Sequence, residues 1–319
     1  MTIILNEHTD PYFNLASEEY LIDHTEGEVM MLWRNAPSVI IGKNQNAYAE
    51  INEPFVRSRG IKVVRRLTGG GAVFHDLGNV NYTCIVPRES GQTLDFARFA
   101  MPVIEALRQL GVPAEFSGRN DITIEGKKVS GNAQCVRSGK MMHHGTLLFR
   151  SDMTDLSGAL NVDPDKIKAK GIKSVRARVG NIGDYLADYD VLSFKHYLEN
   201  FFEGEKRGFT EEEEKEIALL AEKKYSTWEW NFGESKELSV RKKKYYPFGL
   251  VDVRLSADGG VIRECDISGD FFGVSDVSEL ASRLVGVRLE SKSLKEAIDD
   301  PSDYIWGAAA SDLAELILS

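Results

Sequence analysis

The run Arg65-Arg66-Leu67-Thr68-Gly69-Gly70-Gly71-Ala72-Val73-Phe74-His75-Asp76 constrains this chain more than any other stretch. Three consecutive glycines are costly to order, and the interior of a helix or strand gives them little in return. Residues 61–66 therefore read as a strand that ends in a glycine loop of defined shape. Without Cβ atoms, such a loop lets backbone N–H groups converge on an anion and lets a ligand come close. The adjoining arginines add planar forks of donors suited to phosphate or carboxylate. A glycine-rich hairpin with incidental charges is the bland alternative. The glycines are not followed by Gly-Lys-Ser/Thr, and no G-x-G-x-x-G opens a helix, so a bound nucleotide would need a loop of another kind.

The rest of the chain mixes strand and helix patterns. Residues 2–5 are β-rich, and 14–23 are spaced as an amphipathic helix. The apolar runs 29–33 and 38–41 flank Asn35-Ala36-Pro37 and read as a hairpin. A helix is expected over 47–59, closed by Gly60, and a clearer one over 94–110. Further strands are expected at 81–86, 122–125 and 145–149, then helical pattern from 152 to 225. Within that stretch, 211–224 starts with four glutamates and ends in lysines, as a solvated helix with a favourable dipole would. Residues 235–247, with Arg241-Lys242-Lys243-Lys244, read as a linker. Alternating runs at 250–255 and 261–267 surround Ala257-Asp258-Gly259-Gly260, a hairpin signal, and helical patterns follow at 276–284 and from 312. The expected class is α+β: a mixed or antiparallel sheet with flanking helices over residues 1–245, then a small α+β domain over 246–319.

Composition narrows the function. With 39 Lys+Arg against 49 Asp+Glu the formal charge is -10, a poor footing for nucleic-acid binding. Hydrophobic residues at 42% and charged residues at 28% exclude a mostly disordered chain. The three cysteines, Cys84, Cys135 and Cys265, are too scattered for a disulfide framework or a zinc site, which points to a reducing compartment. The first residues lack a secretory pattern, and no apolar run approaches about 18 residues. A cytoplasmic protein is expected, without a membrane or nucleic-acid partner, and as a monomer because no heptad is evident.

Other motifs carry chemistry less specifically. Gly118-Arg119-Asn120-Asp121 precedes Lys127-Lys128-Val129-Ser130-Gly131-Asn132, which places a lysine beside a Ser-Gly turn. A lysine held in a site can neutralise charge on a phosphate or carbonyl oxygen. A nearby aspartate suits Mg²⁺, which takes one or two carboxylates plus phosphates. His143 and His144 should point to opposite faces of a strand, which argues against a shared metal site. Lys170, Lys173, Arg176 and Arg178 make a basic, glycine-punctuated segment suited to closing over an anion. Cys135, seven residues after Lys128, is a conceivable acyl-accepting thiol without an identifiable base.

Together, RRLTGGGAVFHDLGN, GRNDI, KKVSGNAQ, HHGTLLF and KGIKSVRARVGNI, in that order and spacing, closely resemble the lipoate–protein ligase A family. KYYPFGLVDVRL and Gly269-Asp270-Phe271-Phe272-Gly273 resemble that family's accessory domain. The resemblance implies a catalytic domain related to biotin–protein ligases. It implies activation of lipoate by ATP and Mg²⁺ to lipoyl-AMP. The lipoyl group would then pass to a lysine on the lipoyl domain of a 2-oxoacid dehydrogenase E2 subunit, or on the glycine-cleavage H protein. Lys128 matches the essential lysine, bonding the lipoyl carbonyl and a phosphate oxygen. Arg66, Thr68, Gly70, Gly71 and the backbone of Val73 and Phe74 would border the nucleotide, with Thr68 where many relatives carry serine. His75, Asn79, Asn120, Asp121, Ser130, Gly131 and His144 are expected around lipoyl-AMP, Asp121 also at the metal. Ser174, Arg178 and Val179 match an adenylate-binding loop. An apolar tunnel for the acyl tail is expected from Leu15, Trp33, Val39, Val73 and Tyr82.

Rival readings remain at this point. An acyltransferase of the same fold would work through a Cys135 thioester without ATP. A biotin ligase should show a Gly-Arg-Gly-Arg-x-Gly loop, which is absent. A non-catalytic binder would have little use for Lys128. No helix-turn-helix extension suggests a DNA-binding repressor.

Overall fold

The computed structural model of the chain describes residues 1–89, 93–161, 179–232 and 240–319. Fourteen strands are described: β1 (Thr2–Leu5), β2 (Val29–Trp33), β3 (Ser38–Ile41), β4 (Lys62–Arg65), β5 (Val73–His75), β6 (Asn79–Pro87), β7 (Ala114–Ser117), β8 (Asp121–Ile124), β9 (Lys127–Arg137), β10 (Lys140–Leu148), β11 (Glu205–Arg207), β12 (Val240–Tyr246), β13 (Gly249–Asp258) and β14 (Val261–Gly269). They form an eight-stranded sheet in the order β11-β1-β2-β6-β10-β9-β8-β7 and two three-stranded sheets, β4-β3-β5 and β12-β13-β14. β1 runs parallel to both β2 and β11, and β3 parallel to β4; the other pairs are antiparallel. The architecture is the expected one, a mixed sheet flanked by helices plus a small C-terminal unit.

Helices sandwich the large sheet. The helix Pro11–His24 starts on the Asp10 side chain and buries Leu15, Leu21 and Ile22 against Met31, Trp33 and Ile85 on one face. The helices Phe96–Gln109 and Val191–Phe201 cover the other face through Ile104, Leu107, Phe194 and Leu198, packed on Tyr82, Leu147 and Phe149. The β4-β3-β5 sheet has its own core of Val39, Ile41, Val63 and Phe74.

Several expectations change: the Ser-Gly turn expected at 130–131 lies within the strand β9, and the stretch read as helical over 152–225 also holds the short strand β11. Residues 29–33 and 38–41 are not a hairpin: β2 pairs with β1 and β6, whereas β3 joins β4 and β5. The strands part at Asn35 and Pro37, whose ring fixes φ and removes a donor. The helix expected over 47–59 is two short turns, Ala47–Glu50 and Glu53–Ser58; Asn52 caps the second and Pro54 opens it. Arg241–Lys244 are not linker but the edge strand β12, which pairs with β13 from Val240 to Tyr246. The small sheet therefore begins ahead of residue 246. Exposed lysines on an edge strand discourage pairing with another chain, so a basic run is at home there.

The C-terminal unit buries Phe271, Leu280, Leu284, Ile298 and Leu313 in its own core and also reaches the glycine loop. Gly70 N donates to Phe271 O at 3.1 Å, Gly269 N to Asn44 O at 2.8 Å, and Lys43 meets Asp276 at 2.8 Å. Phe272 packs on Phe96 at 5.0 Å between ring centres, under the Arg119 guanidinium, which stands 4.5 Å from the Phe272 ring centre.

Candidate active site

Strand register builds the floor of a pocket. Trp33 pairs with Asn81, Asn81 with Thr146, and Gly131 N donates to Thr146 Oγ1 at 3.2 Å. Two residues along each strand lies a second row: Met31, Thr83, His144 and Ala133. Side chains alternate across a sheet, so these two rows share one face and the intervening Leu32 and Tyr82 turn to the other. Above the floor stand Leu15 from the first helix, Ile40 from β3, Val73 and His75 from β5, Arg66, Gly70, Gly71 and Ala72 from the glycine loop, and Phe272 from the small domain. Together they line a pocket that also meets Asn120, Lys128, Asn132 and Gly145.

Of the residues expected at the site, Arg66, Gly70, Gly71, Val73, His75, Asn120, Lys128, Gly131, His144, Leu15 and Trp33 line this pocket. Thr68, Asn79 and Ser130 lie behind the wall. Thr68 Oγ1 accepts from Arg66 Nε at 2.8 Å, Asn79 Nδ2 donates to Asn81 Oδ1 at 2.7 Å, and Asn132 Nδ2 donates to Ser130 Oγ at 3.3 Å. Phe74 sends its side chain into the core of the small β4-β3-β5 sheet. Ser174 and Arg178 lie outside the described residues. Val179 forms a parallel bridge with Lys128, and Gly180 N donates to Lys128 O at 2.9 Å.

Two tunnel residues are corrected. Val39 alternates with Ile40 and so packs away from the pocket with Ile41 and Phe74. Tyr82 faces the other side of the large sheet, where its hydroxyl donates to Asn132 Oδ1 and its ring fills the space a Gly145 side chain would take. Sequence reading missed Asn81, Thr146, Ile40 and Phe272. The first three follow from register once the pairing is known. Phe272 carries no local signal, because what brings it to the pocket is a contact between distant parts of the chain.

The two arginines divide their work. Arg65 donates to the carbonyls of Gly42, Lys43, Gln45, Trp230 and Asn231 at 2.6–3.0 Å, so its described bonds fasten backbone. Arg66 lines the pocket while its guanidinium holds the loop from within, donating to Ile40 O, Gly69 O and Gly71 O. Burial brings its pKa down to about 10, leaving it cationic at neutral pH.

At the mouth, Lys128 Nζ stands 2.7 Å from Asp121 Oδ1, both half-exposed. Beneath the glycine loop, Thr68 Oγ1 meets His144 Nε2 at 2.8 Å, and His144 Nδ1 meets Glu18 Oε1 at 2.8 Å. His143 points to the opposite face, as alternation requires, where Gln134 Nε2 meets its Nδ1 at 2.9 Å. Among the described residues no group of three or more His, Cys, Asp or Glu is arranged to hold a metal ion. No described helix is long and apolar enough to cross a membrane. Cys135 is buried among Ile85, Met142 and Tyr225, and burial pushes its thiol up to about 12.

A pocket lined by the cations Arg66 and Lys128 and by the apolar Leu15, Trp33 and Ile40, under a glycine loop, suits a ligase that activates an acid with an apolar tail. The chain belongs to the lipoate–protein ligases: the family model for the lipoyl protein ligase A/B catalytic domain matches residues 10–203, and that for the bacterial lipoate protein ligase C-terminus matches 235–317. It is 42% identical to the lipoate-protein ligase LplJ of Bacillus subtilis over 99% of this chain and 100% of that protein. It is 40% identical to lipoate–protein ligase 1 of Staphylococcus aureus, over 94% and 93%. Among solved structures, P. falciparum LipL1 in complex with lipoate shares the fold across 99% of this chain and 98% of that one, at TM-score 0.80 and 22% identity. A lipoate-protein ligase A bound with ATP matches at TM-score 0.61 and 29% identity, over 73% of this chain and 98% of its own. A bi-partite ligase of Thermoplasma acidophilum, described with its E2 lipoyl domain, matches at TM-score 0.64 and 31% identity, over 75% and 98%.

Proposed function

We propose that this enzyme joins lipoate to ATP as lipoyl-AMP and then acylates a protein lysine. A carboxylate oxygen of lipoate attacks the α-phosphorus, and the bond to pyrophosphate breaks. The acceptor amine then attacks the acyl carbon, and AMP leaves with the bonding pair. The observation that carries this reading is the polarity of the pocket: Lys128, Asn120 and Arg66 belong to the same cavity as Leu15, Trp33 and Ile40.

The chain's own groups have distinct tasks. Lys128 opposes charge on the carboxyl and phosphate oxygens, worth about 10²–10³ in rate for one well-placed donor. Asp121 holds that ammonium near the carboxyl end of the pocket. Asp121, with Asn120, would hold Mg²⁺, which would supply charge neutralisation. The apolar walls and Phe272 exclude water from the mixed anhydride. An acceptor lysine of pKa about 10.4 is neutral roughly once in 2500 molecules at pH 7, so proton removal accompanies transfer. The acceptors are lipoyl domains of 2-oxoacid dehydrogenase E2 subunits or the glycine-cleavage H protein. The enzyme works as a cytoplasmic monomer. A thioester route through Cys135 is disfavoured by the burial and raised pKa of that thiol.

The test is to mix the purified protein with lipoic acid, ATP and Mg²⁺ without acceptor. Lipoyl-AMP and pyrophosphate are expected; their absence with folded protein would refute the reading.

A further inference from the structure

One buried polar atom at the pocket wall has no use in the chemistry above. His75 is 4% exposed and lines the pocket, and its Nε2 is buried without a hydrogen-bond partner among the described residues. Its other nitrogen is fully specified. Asn35 Nδ2 reaches Nδ1 at 3.1 Å and Asn81 Nδ2 reaches it at 3.4 Å.

A chain of amides anchored on backbone fixes their direction. His8 N donates to Asn6 Oδ1 at 2.9 Å, and Asn6 Nδ2 donates to Asn14 Oδ1 at 3.0 Å. The two hydrogens of Asn14 Nδ2 are then shared among His8 O, Arg34 O and Asn35 Oδ1, each at 2.9 Å. Asn35 Oδ1 is therefore the acceptor and its Nδ2 the donor toward His75. His75 Nδ1 must accept, which leaves the proton on Nε2. Burial, with His144 and Arg66 nearby, pushes the imidazole down to about 3, so it stays neutral at physiological pH. The result is one N–H donor, fixed in tautomer and orientation, with no acceptor among the described residues.

Its place in the pocket says what it meets. The row Trp33–Asn81–Thr146–Gly131 crosses three strand spacings, about 14 Å at about 4.8 Å each. Gly131 lies beneath Lys128, the cation for the carboxyl end. His75 is at the other end, edge-on to the Trp33 indole at 6.0 Å. The far end of the acid, not its carboxyl, lies beside it.

Resting on the ligase reading, we propose that His75 is a specificity-determining residue for the acyl tail: its Nε2–H donates to a dithiolane sulfur and so favours lipoate over an unsubstituted medium-chain acid. A sulfur is a weak acceptor, yet a methyl group offers none, and a buried donor left unmade carries a penalty. The weak acceptor sets the expected preference at the low end, about fivefold.

The experiment measures kcat/KM for pyrophosphate release with lipoate and with octanoate, for wild type, His75→Phe and His75→Gln, each checked by thermal melting. The wild-type ratio favours lipoate. His75→Phe brings the ratio down about fivefold, chiefly by slowing the lipoate reaction. His75→Gln, whose amide N–H falls near the Nε2 position, keeps most of the preference, and it decides alone if the Phe variant does not fold. An equal fall for both acids, or an unchanged ratio in His75→Phe, overturns the proposal. Release of no pyrophosphate by wild type with either acid would instead overturn the ligase reading itself.

Discussion

Gly131→Ala separates the position of the Lys128 ammonium from its presence. A Cβ at Gly131 would stand 2.9 Å from Lys128 Nζ and 3.1 Å from Cε, against an ordinary contact of 3.4–4 Å. The atoms in the way belong to the free end of a flexible side chain, so the ammonium moves and the backbone does not. The displacement is on the order of 0.5–1 Å, set by the separation carbon contacts require. Gly131 lies in a strand and not at positive φ, so alanine adds no backbone strain. Replacing glycine in a strand contributes about 0.5–1 kcal/mol of stability, and the half-exposed Lys128–Asp121 pair takes little away. Misplacing a reacting group by about 1 Å costs up to about 10²-fold in rate, or roughly 2.7 kcal/mol of barrier. The variant should therefore melt no lower than wild type while releasing pyrophosphate about ten- to a hundredfold more slowly. Lys128→Ala should be slower still, by about 10²–10³. The double variant should be no slower than Lys128→Ala alone, because both changes act through one ammonium. Full activity in Gly131→Ala, or losses that multiply in the double variant, would refute the assignment of Lys128.

Three further outcomes are expected. Cys135→Ala should lower stability by about 1 kcal/mol through a small cavity and leave adenylation and transfer within about twofold, measured as pyrophosphate release and acceptor lipoylation; selective loss of transfer would restore the thioester route. Gly69→Ala would set a Cβ 2.4 Å from Phe271 O. The Gly70–Phe271 bond, net about 1 kcal/mol, and part of the about 1.5–3 kcal/mol from burying Phe272 should go, read as faster protease cleavage of the C-terminal unit; an unchanged digestion pattern counts against that contact. Burial alone would raise the Asp276 carboxyl, but Lys43 and Ser278 pull it from 3.8 to about 2. That depressed pKa contributes stability above about pH 4 and loses it as pH falls toward 2, so wild type should lose more melting temperature over that window than Asp276→Asn. Equal losses would show the pair to be idle.

Much of this fold was legible in sequence, and the failures have physical causes. The long helix Phe96–Gln109 and the hairpin between β13 and β14 follow from periodicity and from Asp258-Gly259-Gly260. β9 was read as a turn because Lys127, Lys128, Ser130, Gly131 and Asn132 suit a solvated loop; they sit in a central strand because one face of it borders the pocket. The pairing of β2 with β6 rather than β3 depends on contacts between distant residues, which local pattern does not carry. At the site, the glycine loop, Lys128 and His144 stood out by chemistry or resemblance. Asn35, which sets the proton on His75, looked like a turn residue and nothing more.

The two-row floor has a consequence for how relatives of this chain can diverge. Thr146 and His144 reach the pocket, whereas His143 serves the opposite core, only because β10 keeps its register with β6 and β9. Deleting one residue within Lys140–Leu148 would turn every later side chain inside out, exchanging cavity for core in a single step. Point replacement can retune such a floor one position at a time, and frameshift-free insertions cannot. Length in β6, β9 and β10 should therefore be inherited more strictly than identity, with gain and loss of residues confined to the turns between them.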